Sequence, residues 1–394
     1  MTVEPASAPT PKRHYHLLDG LRGVAALMVV IYHLFEAFSS DHPLTQWINH
    51  GYLAVDFFFL LSGFVIAYAY DDRWGRMSTW DFFKRRLIRL QPMVVMGMVI
   101  GALLFYLQTG DTYPLIEKTS VITLLGVMLV GFTLLPLPPS LDIRGWDEMH
   151  PLDGPAWSLF FEYIANMLYA VVLHRLSLRV LSFLVFLAGC LLVEVAVFGK
   201  GGDLIGGWSI DAAQLHIGFG RLLFPFLAGM LLFRLGKTIH VPNAFAVCSV
   251  LLVGVFCAPR VGGASHLWMN GVFEAVCVIV VFPVIVAMGA GAATVEGMSI
   301  RVARFFGAVS YPLYITHYPL IYLYRKWFGS GHTTVGQGAL YGALLFVLAL
   351  AVAYACLKLY DEPVRAWLAR RFLTASSRTT PAETIPAGTD TRSR

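Results

Sequence analysis

The sequence predicts an all-α fold, a polytopic membrane helical bundle of about 10–11 transmembrane helices. Three observations carry that prediction. Of 394 residues, 57% are hydrophobic and 13% charged, where soluble domains carry roughly a quarter charged residues. The mean hydropathy is +0.66. Apolar runs of about twenty residues, the length that crosses a hydrocarbon layer, recur along the whole chain. The net charge of +5 is therefore read through its distribution over loops, and no nucleic-acid partner is expected.

In order, the apolar segments fall at 17–38, 52–70, 91–108, 119–137, 156–173, 180–198, 215–234, 243–258, 268–290, 307–325 and 336–358. They define one transmembrane domain over 17–371, preceded by a cytoplasmic N-terminal segment (1–16) and followed by a disordered polar tail (372–394) rich in Ser, Thr and Pro. The first sixteen residues lack a short apolar core with a small-residue cleavage site, so no removable signal peptide is expected.

Orientation follows from Lys and Arg. Lys12, Arg13 and Arg22 flank the first segment, and residues 39–51 have neither cation. Arg73, Arg76, Lys84, Arg85, Arg86 and Arg89 crowd the next connection. The N-terminus and this second connection are thus expected in the cytoplasm. Lys358, Arg365, Arg370, Arg371 and Arg378 put the C-terminus there too. Two ends on one side require an even number of crossings. Either one of the eleven segments, within 91–173, is re-entrant, or the tail lies outside. The five cysteines fall in or beside apolar runs with no metal-ligand spacing, so no metal is expected.

Ionisable groups at membrane depth are costly and point to function. Arg22 and His33 are eleven residues apart on the first segment, about three turns and 16 Å along one helix face. Arg22 reads either as a snorkelling cation or as the mouth of a polar path, and His33 either as an interhelical hydrogen-bonding group or as its titratable centre. Glu36 is placed to orient or charge the His33 ring. In the second segment Asp56 either pairs locally or meets a substrate, and Ser62-Gly63 permits close helix approach. "FFKRRLIRLQP" sets Arg86 three residues before Arg89, beside Lys84 and Arg85. Such guanidinium forks bind phosphate, or simply anchor the chain at the inner surface. "GPAWSLFFEY" brings Trp157, Ser158 and a buried Glu162 that needs a cationic partner, for which Arg221 is a candidate. His317 stands between Pro312 and Pro319, which allow a local break near a cavity. Asp361-Glu362-Pro363 reads as a helix-end charge cluster.

These pieces together resemble the membrane-bound acyltransferase 3 family of integral-membrane O-acyltransferases. The matching stretches are "LDGLRGVAALMVVIYH", "GYLAVDFFFLLSGF", "RRLIRLQP", "WSLFFE", "GRLLFPFLAGM", "SYPLYITHYPL" and the terminal "DEP", in family order from 17 to 363. The resemblance implies an acyl-coenzyme A donor, usually acetyl-CoA, engaged from the cytoplasm. It also implies a hydroxyl acceptor on a carbohydrate, lipid-linked glycan or other envelope or secreted molecule. By position, Arg22 and His33 match the family's Arg–His motif, and Arg86 and Arg89 its Arg-x-x-Arg pair. Tyr163 departs from relatives that carry a second acidic residue there. The fused extracytoplasmic hydrolase-like domain of some members is not seen, so acceptor delivery is expected from the membrane domain itself or from a separate extracytoplasmic partner.

The chemistry agrees. Moving an acyl group from a thioester to an alcohol requires a base for the hydroxyl proton, and His is the usual one. His33 acts either as that general base or as a transient acyl carrier. Arg22 and Glu36 complete the catalytic set. Arg85, Arg86 and Arg89 would hold the donor's phosphates. Asp56, Ser62, Trp157, Ser158, Glu162, Arg221 and His317 would line the cavity or hold the acceptor. The alternative is a proton-coupled secondary transporter using the same buried groups; its inverted repeats are not visible in the sequence. The expected location is the cell membrane, the cytoplasmic membrane of a bacterium, among membrane lipids.

Overall fold

The computed structural model describes residues 14–38, 46–292, 298–329 and 334–373. The expected N-terminal segment and polar tail lie almost wholly outside these residues. Among the described residues the chain is helical, without a named strand. Its main helices are α1 (His16–Phe38), α2 (Ala54–Tyr70), α3 (Thr79–Leu104), α4 (Val121–Gly131), α5 (Ala156–Val171), α6 (Leu178–Val193) and α7 (Ala212–Leu235). There follow α8 (Ala244–Cys257), α9 (Trp268–Val276), α10 (Phe282–Gly291), α11 (Met298–Thr316), α12 (Tyr318–Gly329), α13 (Val335–Cys356) and α14 (Glu362–Phe372). Single π-helical turns at Glu194–Phe198, Cys277–Val281 and Leu357–Asp361 extend α6 and join α9 to α10 and α13 to α14.

Among the described residues, seven helical runs are long and apolar enough to cross a membrane. α4 and α8, at 11 and 14 residues, fall short of that length. Ile122, Val250, Leu344 and Val347 are exposed on the outside of the bundle, where lipid rather than water suits them. α2 and α7 cross with almost no gap. A Cβ on Gly63 would lie 2.0 Å from the Phe226 carbonyl oxygen, and one on Gly229 would lie 2.1 Å from that of Leu60. The small residues of the SGF and AGM stretches exist for this contact.

Within 91–173 lie the short α4 and the irregular stretch that leads from it to α5. Gln91, about 18 Å into α3, donates through Nε2 to the Phe132 carbonyl at the end of α4. The chain then returns to the far end of α3, where Trp146 Nε1 donates to the Thr112 carbonyl at 3.1 Å and Arg144 Nη1 to Gln108 at 2.5 Å. It descends again past Gly97, whose neighbour is Asp153, before α5 begins. The start of α1, the start of α3 and the Asp361 turn share one end, called the inner end after the side expected from the Lys and Arg distribution. Phe38, His50, Gln108 and α12 share the other. "FFKRRLIRLQP" is the first half of α3 rather than a loop, because Ser78 caps the helix by accepting from the Asp81 amide at 3.1 Å.

Candidate active site

The site is a polar column through the bundle, with α1 as its spine. At the inner end, Arg22 is held to α11, donating from Nε to Ser310 Oγ at 2.8 Å and from Nη2 to the Gly307 carbonyl at 3.1 Å. Arg89 is exposed and makes no hydrogen bond or ion pair. Arg22, Arg86 and Arg365 lie within electrostatic reach of its guanidinium. One turn before Arg89 on the same helix, Arg86 turns inward and binds Glu162 of α5 at 2.6 Å, with Ser62 donating to the same oxygen at 3.1 Å.

Midway, His33 Nδ1 lies 2.8 Å from Glu36 Oε2. A carboxylate only accepts, so a ring proton sits on Nδ1, and in the neutral ring Nε2 carries the lone pair. That Nε2 makes no hydrogen bond, and the side chain keeps 17% exposure. The His317 ring is stacked on His33 with centroids 5.5 Å apart. His317 occupies the break between α11 and α12, and its Nδ1 faces the carbonyls of Leu313 and Tyr314 at 3.0 and 2.9 Å. Its proton is thereby fixed on Nδ1, leaving a fully buried Nε2 without a partner.

The outer end continues the column. Arg325 of α12 binds Glu36, and its guanidinium lies 5.2 Å from the centre of the Trp146 ring. Tyr318 packs edge-on against His33 at 4.8 Å and against Tyr322 at 4.6 Å, and the Tyr322 hydroxyl donates to Glu148 at 2.5 Å. Arg144 lies 3.6 Å above the Tyr322 ring. Glu148 and Asp153 stand in the irregular segment between α4 and α5, outside the spanning helices. Burial pushes Glu148 up to about 7 against the pull of Arg144, and pushes Asp153 up as well, with Glu148 adding to the effect. Neither carboxyl oxygen of Asp153 has a hydrogen-bond partner.

A cationic end, a histidine held by a carboxylate and a run of buried polar groups beyond it can serve group transfer. Comparison with known proteins gives the family. A family model described as an acyltransferase domain, acyltransferase 3, matches residues 15–358. The chain belongs to the acyltransferase 3 family. It is an acyltransferase and a multi-pass membrane protein. "Protein 2 in picA locus" of Rhizobium radiobacter is 37% identical over 171 residues, 41% of this chain and 83% of that protein. O-acetyltransferase OatA of Staphylococcus aureus (strain NCTC 8325 / PS 47) is 27% identical over 350 residues, 81% of this chain. The chain spans about half the length of OatA, 52%. No solved structure matches.

Set against this acyltransferase 3 architecture, the residues read from the sequence divide into three groups. Arg22, His33, Glu36 and His317 come together in the column, joined by Arg89 at the mouth. Arg86, Glu162 and Ser62 form its wall. The expected pairing of Glu162 with Arg221 is wrong, because Arg86 takes Glu162 while Arg221 grips Asp56. The Arg221 Nη2 lies 2.7 Å from Asp56 Oδ2, and the same guanidinium donates to the carbonyls of Tyr52 and Gly206 at 2.7 and 3.1 Å. Asp56 and Arg221 are 0% and 2% exposed and bound to each other. Trp157 packs under Arg221, and Ser158 shares its hydroxyl with Tyr314 at 2.7 Å. Arg85, though beside Arg86 in sequence, makes no ion pair, and its Nε is buried without a partner. Asp361 is buried against Arg365 at 3.3 Å and faces the mouth, so the DEP motif is more than a surface cluster.

Arg325, Tyr318, Tyr322, Trp146, Glu148 and Asp153 were not legible as site residues. Arg325 sits in "YLYRKWF", which reads as the basic end of a span. Glu148 and Asp153 sit in "WDEMHPLDGP", which reads as a surface loop. The signal that could have found the latter is the requirement that irregular backbone inside a membrane domain line a cavity.

Proposed function

We propose that this acyltransferase 3 protein is an O-acyltransferase that moves an acyl group, in our reading acetyl, from cytoplasmic acyl-coenzyme A to a hydroxyl of a carbohydrate or other envelope or secreted acceptor. The observation that carries the reading is the open Nε2 of His33, its tautomer set by Glu36, on the same helix as the arginine mouth. Arg89, with Arg22 and Arg85, takes the donor's phosphates, while Arg86 keeps Glu162 in place. The pantetheine arm runs up the column to the His33 level. The acceptor reaches His33 from the outer end, past Tyr318, Glu148 and Asp153.

In the direct step, the acceptor hydroxyl gives its proton to His33 Nε2 as its oxygen bonds the thioester carbonyl carbon. The carbon–sulfur bond then breaks, and the thiolate leaves with the proton from His33 as the coenzyme thiol. An acyl-imidazole on Nε2 is the two-step variant. The names of the OatA relatives support the O-acetyl assignment. No specific observation favours the transporter. With the protein in liposomes, labelled acetyl-coenzyme A and glycan acceptors, His33→Ala lowers transfer by about 10²–10⁴-fold. Equal transfer by wild type and variant overturns the assignment.

A further inference from the structure

We propose that Arg325 is the positioning residue for His33, acting through Glu36. The role of His33 in this proposal rests on the transferase reading; the contacts do not. Among its neighbours in the described residues, Glu36 meets His33 Nδ1 at 2.8 Å, the Tyr32 hydroxyl at 3.3 Å and the Arg325 guanidinium. The first and last converge on the same oxygen, Oε2. A neutral imidazole and a phenol do not hold a carboxylate ionised in the interior of a membrane protein; a guanidinium does. With Arg325 in place, Glu36 accepts the Nδ1 proton and His33 keeps Nε2 bare. Without it, the Glu36–His33 pair takes up a further proton, and the base is lost at the pH where it must work.

Among the described residues, these groups face His33 and Glu36. From α1 there is Tyr32, from the α11–α12 break His317 and Tyr318, and from α12 Arg325. Arg325 is the one permanent charge among them. The adjacent Lys326 cannot stand in, because its ammonium is spent on the Leu107 carbonyl at 3.0 Å. Arg325 is itself fixed from outside the α1–α12 pair: its side chain is 6% exposed and lies over Trp146, with Glu148 within electrostatic reach. The segment that returns from α4 to α5 therefore holds the arginine that holds the carboxylate that orients the base.

The test reads His33 directly. The full chain in detergent is treated with diethylpyrocarbonate across pH 5–9, and modification of His33 is quantified by mass spectrometry for wild type, Arg325→Met and Arg325→Lys. Arg325→Met moves the pH of half-maximal His33 reactivity upward by about one unit, as expected for losing a neighbouring cation. The acid limb of the transfer rate profile moves with it. Arg325→Lys keeps the charge, so its half-point stays close to wild type, but it lacks the planar fork. Its kcat falls several-fold with the donor KM unchanged. If the Met variant cannot be isolated folded, the Lys variant decides, and wild-type kcat in it overturns the proposal. An unmoved His33 half-point in Arg325→Met also overturns it. A moved half-point in a protein whose transfer survives His33→Ala leaves the Arg325–Glu36–His33 linkage standing and sinks the transferase role instead.

Discussion

The two ends of the His33 column differ in what they leave open. At the inner end, Arg89 is exposed and unpaired, with Arg22, Arg86 and Arg365 around it. At the outer end, arginines are engaged: Arg325 with Glu36 and Trp146, Arg144 with Gln108 and the Pro151 carbonyl. Arg22, Arg86 and Arg365 have carboxylate partners in Asp19, Glu162 and Asp361, so it is Arg89, with no ion pair of its own among the described residues, that is left for an anion from outside the chain. Arginines matched to carboxylates and aromatic rings hold side chains in place. The same residue type thus does two jobs, and Arg221, buried on Asp56, is the extreme of the second.

The sharpest way to break that contrast is to remove an engaged arginine. Arg221→Ala leaves Asp56 charged and alone in the bundle, and we expect a loss of about 3–5 kcal/mol. Thermal unfolding in detergent measures it. The double variant Arg221→Met with Asp56→Leu recovers most of the loss, since an apolar pair of similar volume has no uncompensated charge. Full stability in Arg221→Ala alone is the outcome that ends this account of the pair.

The outer end makes a smaller prediction with a definite sign. Burial raises Glu148 to about 7, well above its ordinary value, so the folded protein favours the protonated acid. Its contribution to stability is complete below the ordinary carboxylate range and is lost as pH rises through about 7. A rise of this size corresponds to an effect on the order of 3 kcal/mol. The melting temperature should therefore decline as pH is raised from 5 to 8, and Glu148→Gln should flatten that decline. An unchanged slope in the variant removes Glu148 as its source.

The contrast between the ends also explains what could be read from the sequence. The bundle, the Arg22–His33 face and the charged first half of α3 were legible, because they rest on hydropathy and helical period. The partner of Glu162 was not, because pairing is set by which helices meet. Arg86 and Arg221 are equally basic residues in apolar surroundings, and only the close contact of α2 with α7 commits Arg221 to Asp56. The outer half of the site was missed for a different reason. Glu148 and Asp153 lie in a polar stretch, where one more Glu or Asp attracts no notice until Asp153 is seen beside Gly97 of α3, and Arg325 ends an apolar segment, where a basic residue is ordinary.

The smallest expected effect on the fold belongs to the residue that matters most for the donor. Arg89→Ala removes an exposed cation that binds nothing else in the chain, so its stability should stay within about 0.5 kcal/mol of wild type. Acetyl-coenzyme A binding should weaken by about 1.5–3 kcal/mol, the worth of hydrogen bonds to a charged group. Added salt should narrow that gap, because an exposed guanidinium and a phosphate are screened by mobile ions. Equilibrium binding of labelled acetyl-coenzyme A at low and high salt reads both. Arg86→Ala is the counterpart: it strands Glu162, so it should lower stability and donor affinity together. If Arg89→Ala instead unfolds the protein and spares the donor, the inner end is a structural cluster like the outer one, and the division between the two ends disappears.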